Sequence, residues 1–170
     1  MNNLGSALRA QKKLADAEPL YTLALATRRE TLGDAHAATL SSCNNLAVLL
    51  SEMRKFDAAL PLLLEAFAGY RAQLGLTHPS SVSLVTNLSQ VLFVAQTDGQ
   101  SADESRQRGV ALTREVLDAC AAAAAAADDG AAGQHARHAK LLAAHLVKLL
   151  KALGDQPAIE QLTAEYGLAA

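Results

Sequence analysis

The feature that most constrains this chain is a pattern that returns every 42 residues. Asn3-Leu4 recurs as Asn45-Leu46 and again as Asn87-Leu88. Lys13 and Lys55, Ala17 and Ala59, Leu20 and Leu62, Ala24 and Ala66, Leu32-Gly33 and Leu74-Gly75, and His36 and His78 keep the same step. A fixed period of roughly 20–50 residues marks a repeat architecture, in which each unit buries its apolar face only by stacking on its neighbours.

Each unit reads as two helices. The first runs over roughly 37–53 and again over 79–95; the second runs over 16–32 and again over 57–74. Leu46, Ala47 and Leu50 follow the helical spacing of a buried stripe. Gly33 and Gly75 fall just past the second helix, where a left-handed cap residue belongs. Pro79 falls where the next helix begins, a position that tolerates a missing N–H. Composition agrees: the chain is 51% hydrophobic but only 4% aromatic. Much of the hydrophobic share is Ala and Leu, the strongest helix formers.

The third unit drifts. Thr97-Asp98-Gly99-Gln100-Ser101 reads as a turn, its paired helix covers roughly 103–120, and Ala121 to Ala127 reads as a helix extension or spacer. A loop rich in Gly follows. Leu146 to Leu150 then repeats Leu46 to Leu50, Gly154-Asp155-Gln156-Pro157 reads as a turn, and a short last helix runs over 157–166 and ends at Gly167. The expected organisation is one domain over 1–170. It comprises a partial repeat over 1–33, a repeat over 34–75, a repeat over 76–122, a loop over 123–133 and a degenerate capping repeat over 134–170.

Leu74-Gly75-Leu76-Thr77-His78-Pro79 with Asn87-Leu88, and Ala17-Glu18-Pro19-Leu20-Tyr21 with Ala24-Leu25, resemble the tetratricopeptide repeats of kinesin light chains and their relatives. The resemblance is close over 1–95 and loose over 134–166, and departs at Ala37, where the family usually has Pro. It implies an all-α fold, a right-handed superhelical α-solenoid of about 3.5 repeats. It also implies an adaptor or scaffold that holds an extended or helical peptide in a concave groove. Asn2 aligns with Asn44, so the chain opens inside a first helix and leaves Leu4 and Leu8 short of a packing partner. An exposed apolar end implies a longer parent protein or a homo-oligomer through the N-terminal repeat edge.

First helices line the groove of such a stack. With Asn45 at 0° and about 100° per residue, Leu46, Ala47, Leu50 and Cys43 cluster on one side of the wheel. Ser41, Val48 and Glu52 lie beside Asn45 on the other. Equivalent positions are Ser83, Asn87, Gln90 and Val94 in the third unit, Asn3, Ser6 and Ala10 in the first, and Leu141, His145, Lys148 and Ala152 in the fourth. The expected peptide-binding set is therefore Asn3, Ser41, Asn45, Val48, Glu52, Ser83, Asn87, Gln90, His145 and Lys148. Asn3, Asn45, Asn87 and His145 form its ladder. An Asn amide both donates and accepts, so it pairs with both groups of a peptide backbone. Val48, Val91, Phe93 and Val94 are expected to add apolar contact. The alternative is that the amides bridge neighbouring helices of the scaffold.

Charge narrows the partner. Net charge is −2 and the isoelectric point is near 6.2, which excludes an overall nucleic-acid binder. The groove lacks a run of cations in its first units, which disfavours a carboxylate clamp. Basic residues gather at 1–15 and 131–154. Acidic segments docking near Lys148 and Lys151 are one reading. The other is compensation of helix dipoles by Lys12, Lys13, Arg54, Lys55 and Lys151.

No apolar run reaches the roughly 18–20 residues that span a bilayer, and the first residues read as neither signal nor transit peptide. Cys43 and Cys120 give neither a disulfide framework nor zinc spacing, so a reducing, cytoplasmic setting is expected. Asn87-Leu88-Ser89 matches a glycosylation acceptor but lies in a helical pattern. His135, His138 and His145 read as solvated histidines beside a loop, His36 and His78 as repeat signatures, and Asp128-Asp129 as a solvated loop pair. Met53 and Phe56 fit the core. Phosphate loop, nucleophile elbow and catalytic triad are all missing. The expected function is non-catalytic, with no cofactor and no metal, and with another protein or peptide segment as partner. The alternative is a structural or oligomerising segment of a larger repeat protein.

Overall fold

A computed structural model describes residues 2–94, 102–126 and 129–168. The described residues form eight helices: α1 (Asn2–Ala10), α2 (Leu14–Leu32), α3 (Ala37–Glu52), α4 (Phe56–Leu74), α5 (Pro79–Val94), α6 (Ala102–Ala126), α7 (Asp129–Leu153) and α8 (Gln156–Tyr166). No strand occurs among them. The chain divides into two compact units, Met1–Gln73 and Leu74–Ala170.

In the first unit α2 packs on both α1 and α3. Small residues set the closeness of this packing. Ala17, Ala59 and Ala66 are wholly buried and Ala24 nearly so, which gives the repeated Ala pairs a physical meaning. Gly5 lies against the Tyr21 ring, where an added Cβ would sit 3.2 Å from a ring carbon. Gly69 of α4 leaves room for buried Leu40 of α3; a Cβ there would come within 2.5 Å of a Leu40 methyl. Pro19 and Pro61, themselves one repeat apart, lie inside α2 and α4. Each forfeits one backbone hydrogen bond, yet both helices continue, held by their buried faces.

The turns repeat as faithfully as the helices. After α1, the Lys12 N–H bonds Arg9 O and the Lys13 N–H bonds Leu8 O, both at 2.9 Å. After α3, Arg54 bonds Ser51 O at 3.0 Å and Lys55 bonds Leu50 O at 2.8 Å. After α7, Gly154 and Asp155 bond Lys151 O and Leu150 O in the same way. This nested pair closes a helix through a left-handed residue. Lys12, Arg54 and Gly154 have φ of 61°, 63° and 75°. His36 and His78 cap the start of the next first helix: their Nδ1 atoms accept from Ala38 N at 3.1 Å and Ser80 N at 3.2 Å. An unprotonated ring nitrogen there satisfies one orphan donor of the helix.

The second unit packs α5 on α6, α6 on α7, α7 on α8, and α5 on α7. Its buried residues include Leu84, Val85, Leu88 and Leu92 of α5, Val116 and Leu117 of α6, Leu142, Ala143 and Leu146 of α7, and Ile159 and Leu162 of α8. The loop expected over 123–133 is corrected here. Residues 123–126 finish α6, and 129–133 open α7. The Ala run carries the highest helix propensity. Gly130 and Gly133 each disfavour a helix by about 1 kcal/mol, which a 25-residue helix packed along α6 overrides. Asp129 is thus helical rather than looped; Asp128 and the expected turn over 97–101 lie outside the described residues.

Candidate partner-binding face

The first helices α3, α5 and α7 are amphipathic: one face is buried and the other ranges from half-buried to exposed. On α3, Cys43 and Ala47 are completely buried and Leu46 and Leu50 nearly so. Ser41, Asn45 and Val48 on its other face are half-buried, and Glu52 is exposed. On α5, Ser83, Gln90 and Val94 are exposed and Asn87 is half-buried. On α7, Lys148 and Leu141 are exposed and His145 is half-buried; on α1, Asn3 is exposed. None of the ten candidate residues lies in the buried class.

Their engagements differ. The Asn45 side chain has no hydrogen bond among the described residues, whereas Asn87 is engaged within the chain. Glu52 is held by Arg9: Oε1 accepts from Arg9 Nε at 2.9 Å and from Nη2 at 2.6 Å. That bond, with the charge of Glu52, raises the Arg9 pKa. Ser6, Arg9, Ala10, Lys12 and Glu52 line a shallow cavity of about 270 Å³ in the first unit. Three of these, Ser6, Ala10 and Glu52, hold the groove register read from the wheel. Asn3 is not among the lining residues.

In the second unit, His145 Nε2 lies 2.8 Å from Ser89 Oγ and so joins α7 to α5. Ser89 is completely buried, and its hydroxyl also reaches Thr86 O at 3.1 Å. Burial, helped by the charge of Lys148, pulls the His145 pKa below its ordinary value. The sequence signal for Ser89 was faint: one hydroxyl on the apolar stripe of Leu88, Val91 and Leu92.

Four expectations change. Val91 is only 4% exposed, so it belongs to the core stripe and not to a binding face. Phe93 is half-covered, with the Arg106 guanidinium 5.4 Å from its ring centroid. His135 and His138 are helical and half-buried rather than solvated beside a loop, and their Nδ1 atoms are buried without a partner among the described residues. Met53 and Phe56, expected in the core, are half-buried, Phe56 beneath Arg54 at 5.4 Å.

Chemical reactivity is low. Burial pushes the Cys43 thiol up to about 11 and raises that of Cys120. At neutral pH both are protonated and poorly nucleophilic. No group of three or more His, Cys, Asp or Glu is placed to hold a metal among the described residues. No helix among them is long and apolar enough to cross a membrane.

Comparison with known proteins agrees with this architecture. Residues 1–72 match the tetratricopeptide repeat family. The tetratricopeptide-like repeats of a Podosopora anserina protein designated a kinesin light chain align with a TM-score of 0.77 at 20% identity, over 97% of this chain and 71% of that one. A single-substitution variant of that protein aligns at 0.78 and 20% identity, over 97% and 70%. BtubC, also designated BKLC, from P. vanneervenii aligns at 0.69 and 20% identity, over 96% of this chain and 59% of its own length. No curated protein matches the chain. The fold is therefore the all-α tetratricopeptide type seen in kinesin light chains, as the repeat implied.

Proposed function

We propose that this protein is a non-catalytic interaction module that holds a peptide or partner protein along the polar faces of its first helices, as an adaptor in the cytoplasm. One observation carries the reading. The first helices α3, α5 and α7 each bury one face and keep polar and short apolar side chains accessible on the other, as Ser41, Asn45 and Val48 do on α3. An Asn such as Asn45, with no partner of its own among the described residues, has both an amide donor and an acceptor to offer a peptide backbone. Glu52 contributes through the carboxylate that Arg9 orients, and Lys148 adds a cation on α7.

The test is a selection of random peptides on the wild-type protein, followed by titration of the recovered peptides against the Asn45→Ala/Asn87→Ala double variant. Circular dichroism first establishes that the variant stays helical. Loss of two bidentate amide contacts is expected to weaken binding about tenfold or more, equivalent to about 1.4 kcal/mol. Peptides that bind both proteins equally would remove the amide face from the reading.

A second reading rests on Leu4, which is 58% exposed on α1. There the chain serves as a structural segment whose α1 edge packs on another repeat or a second copy. An oligomer by sedimentation that Leu4→Asp dissociates supports this reading; a monomer at all concentrations rejects self-association.

A further inference from the structure

His145 stands where three helices of the second unit converge. Its Nε2 meets the buried Ser89 hydroxyl of α5 at 2.8 Å. Opposite, Gly109 of α6 brings its backbone so close to Ser89 that an added Cβ would lie 3.1 Å from Ser89 O. The junction therefore has little room to rearrange while the ring stays in place.

The surroundings of the ring contain nothing to balance a positive charge. The whole of α5, from Pro79 to Val94, has no ionisable side chain. The buried positions that α6 turns inward, Ser105, Gly109, Thr113, Val116, Leu117 and Cys120, hold one titratable group, the buried neutral thiol of Cys120. The buried residues of α8 are Ile159 and Leu162. On α7 itself the nearest charge is that of Lys148, one turn away, which repels a second cation; His138 lies two turns away on the other side.

We propose that His145 is a proton-operated brace between α5 and α7: the neutral ring holds Ser89, and a protonated ring leaves that contact for solvent and loosens the two helices. The hydrogen bond alone does not make it proton-sensitive. A protonated ring still donates from Nε2 to Ser89 Oγ, while the hydroxyl donates to Thr86 O at 3.1 Å. What opposes protonation is an uncompensated charge in a half-buried site beside Lys148. The burial-lowered affinity of this ring for a proton fits that geometry. The unfolded chain takes up the proton first as pH falls. The contribution of the brace is thus complete above the ordinary histidine pKa of about 6.5, fades as pH falls below it, and stops changing below the depressed folded value. The brace stands on its own geometry, whether or not the neighbouring face binds a partner.

The experiment is hydrogen exchange on the full chain at pH 7.5 and 5.5, with rates corrected for intrinsic exchange. Wild type, His145→Gln and Lys148→Gln are compared, with α2 to α4 as internal reference. In wild type, protection of α5 and α7 is expected to fall about threefold or more at the lower pH relative to the reference. His145→Gln, which keeps a hydrogen-bonding group but cannot titrate in this range, should flatten the response. Lys148→Gln should reduce it by removing the repelling charge. If His145→Gln proves unfolded, the imidazole resonance of His145 is titrated in wild type; a midpoint at or above the ordinary histidine value overturns the proposal. So does an equal loss of protection in wild type and His145→Gln, which would assign the acid response to groups other than His145. A wild type that shows no loss overturns it as well.

Discussion

The two compact units solve the same packing problem with different materials. In Met1–Gln73 the helices reach at most 19 residues, the turns are tight, and charged side chains tie elements of successive repeats together. Arg9 of α1 pairs with Glu52 of α3 at 2.6 Å, Arg29 of α2 with Glu65 of α4 at 2.5 Å, and Lys55, in the turn before α4, with Glu18 of α2 at 2.8 Å. In Leu74–Ala170 two 25-residue helices run side by side, and one polar tie among the described residues is internal, from the Ser89 hydroxyl to the His145 ring. Exposed ion pairs tolerate substitution, because solvent already shares their charge; a buried hydroxyl and a half-buried ring do not. The first unit thus adds surface ion pairs to small-residue packing and to internal ties such as Arg28 Nη1 to the buried Ser42 hydroxyl at 2.8 Å. In the second, a half-buried ring meets a buried hydroxyl.

The largest test of that contrast removes core volume from each unit in turn. Leu63→Ala and Leu146→Ala both truncate wholly buried side chains and should destabilise by about 2–5 kcal/mol in urea denaturation. Hydrogen exchange read by region should show lost protection over α2–α4 in the first variant and over α5–α8 in the second. Protection lost throughout the chain in both variants would mean that the units unfold as one and the contrast has no energetic basis.

Gly69→Val comes next. It places a branched side chain against buried Leu40, where even a Cβ comes within 2.5 Å, and overpacking of this kind should destabilise by about 1–3 kcal/mol. An unchanged melting temperature would mean that Leu40 has space to move.

The left-handed turns sharpen the comparison, because the same backbone position is Lys12 and Arg54 in the first unit and Gly154 in the second. An L-residue there is disfavoured by about 1–2 kcal/mol, partly offset by the greater unfolded-state freedom of glycine. Gly154→Ala should destabilise by about 1–2 kcal/mol, while Lys12→Gly and Arg54→Gly should each stabilise by about 0.5–1 kcal/mol. A loss of stability in Arg54→Gly would show that stacking of Arg54 on Phe56 outweighs its backbone strain.

The smallest effect belongs to Arg9 and Glu52, whose side chains are about a third exposed. A double-mutant cycle should give about 0–1 kcal/mol of coupling, falling with salt. A coupling above 2 kcal/mol would make this surface brace the equal of an internal one.

Much of the helical layout was legible beforehand. The step from Asn45 to Asn87 and the positions of Gly33, Gly75 and Pro79 place α2 to α5 to within about two residues. The buried stripe of Cys43, Leu46, Ala47 and Leu50 was readable as well, since helical periodicity is a local signal. The misreadings have physical causes. The stretch over 123–133 reads as loop because Gly130 and Gly133 weaken a helix locally, while packing along α6 is invisible in a single segment. Lys12 and Arg54 hide their left-handed turns because such turns are ordinarily announced by glycine; Gly154 in the fourth unit was the available clue. Val91 reads as accessible only if its place beside Leu88 and Leu92 on the stripe is overlooked.

The candidate face divides the same way. That Ser41, Asn45 and Val48 point away from the buried stripe follows from their angular positions on one helix. That Glu52 meets Arg9 across 43 residues, and His145 meets Ser89 across 56, does not. The amino-acid order alone determined which segments become helices and which side of each is apolar, because those properties depend on neighbours three or four positions away. Which polar groups meet depends on how whole helices dock, so only the tertiary structure decided it. Side chains far apart in sequence find each other only after burial of the apolar stripes has brought their helices together.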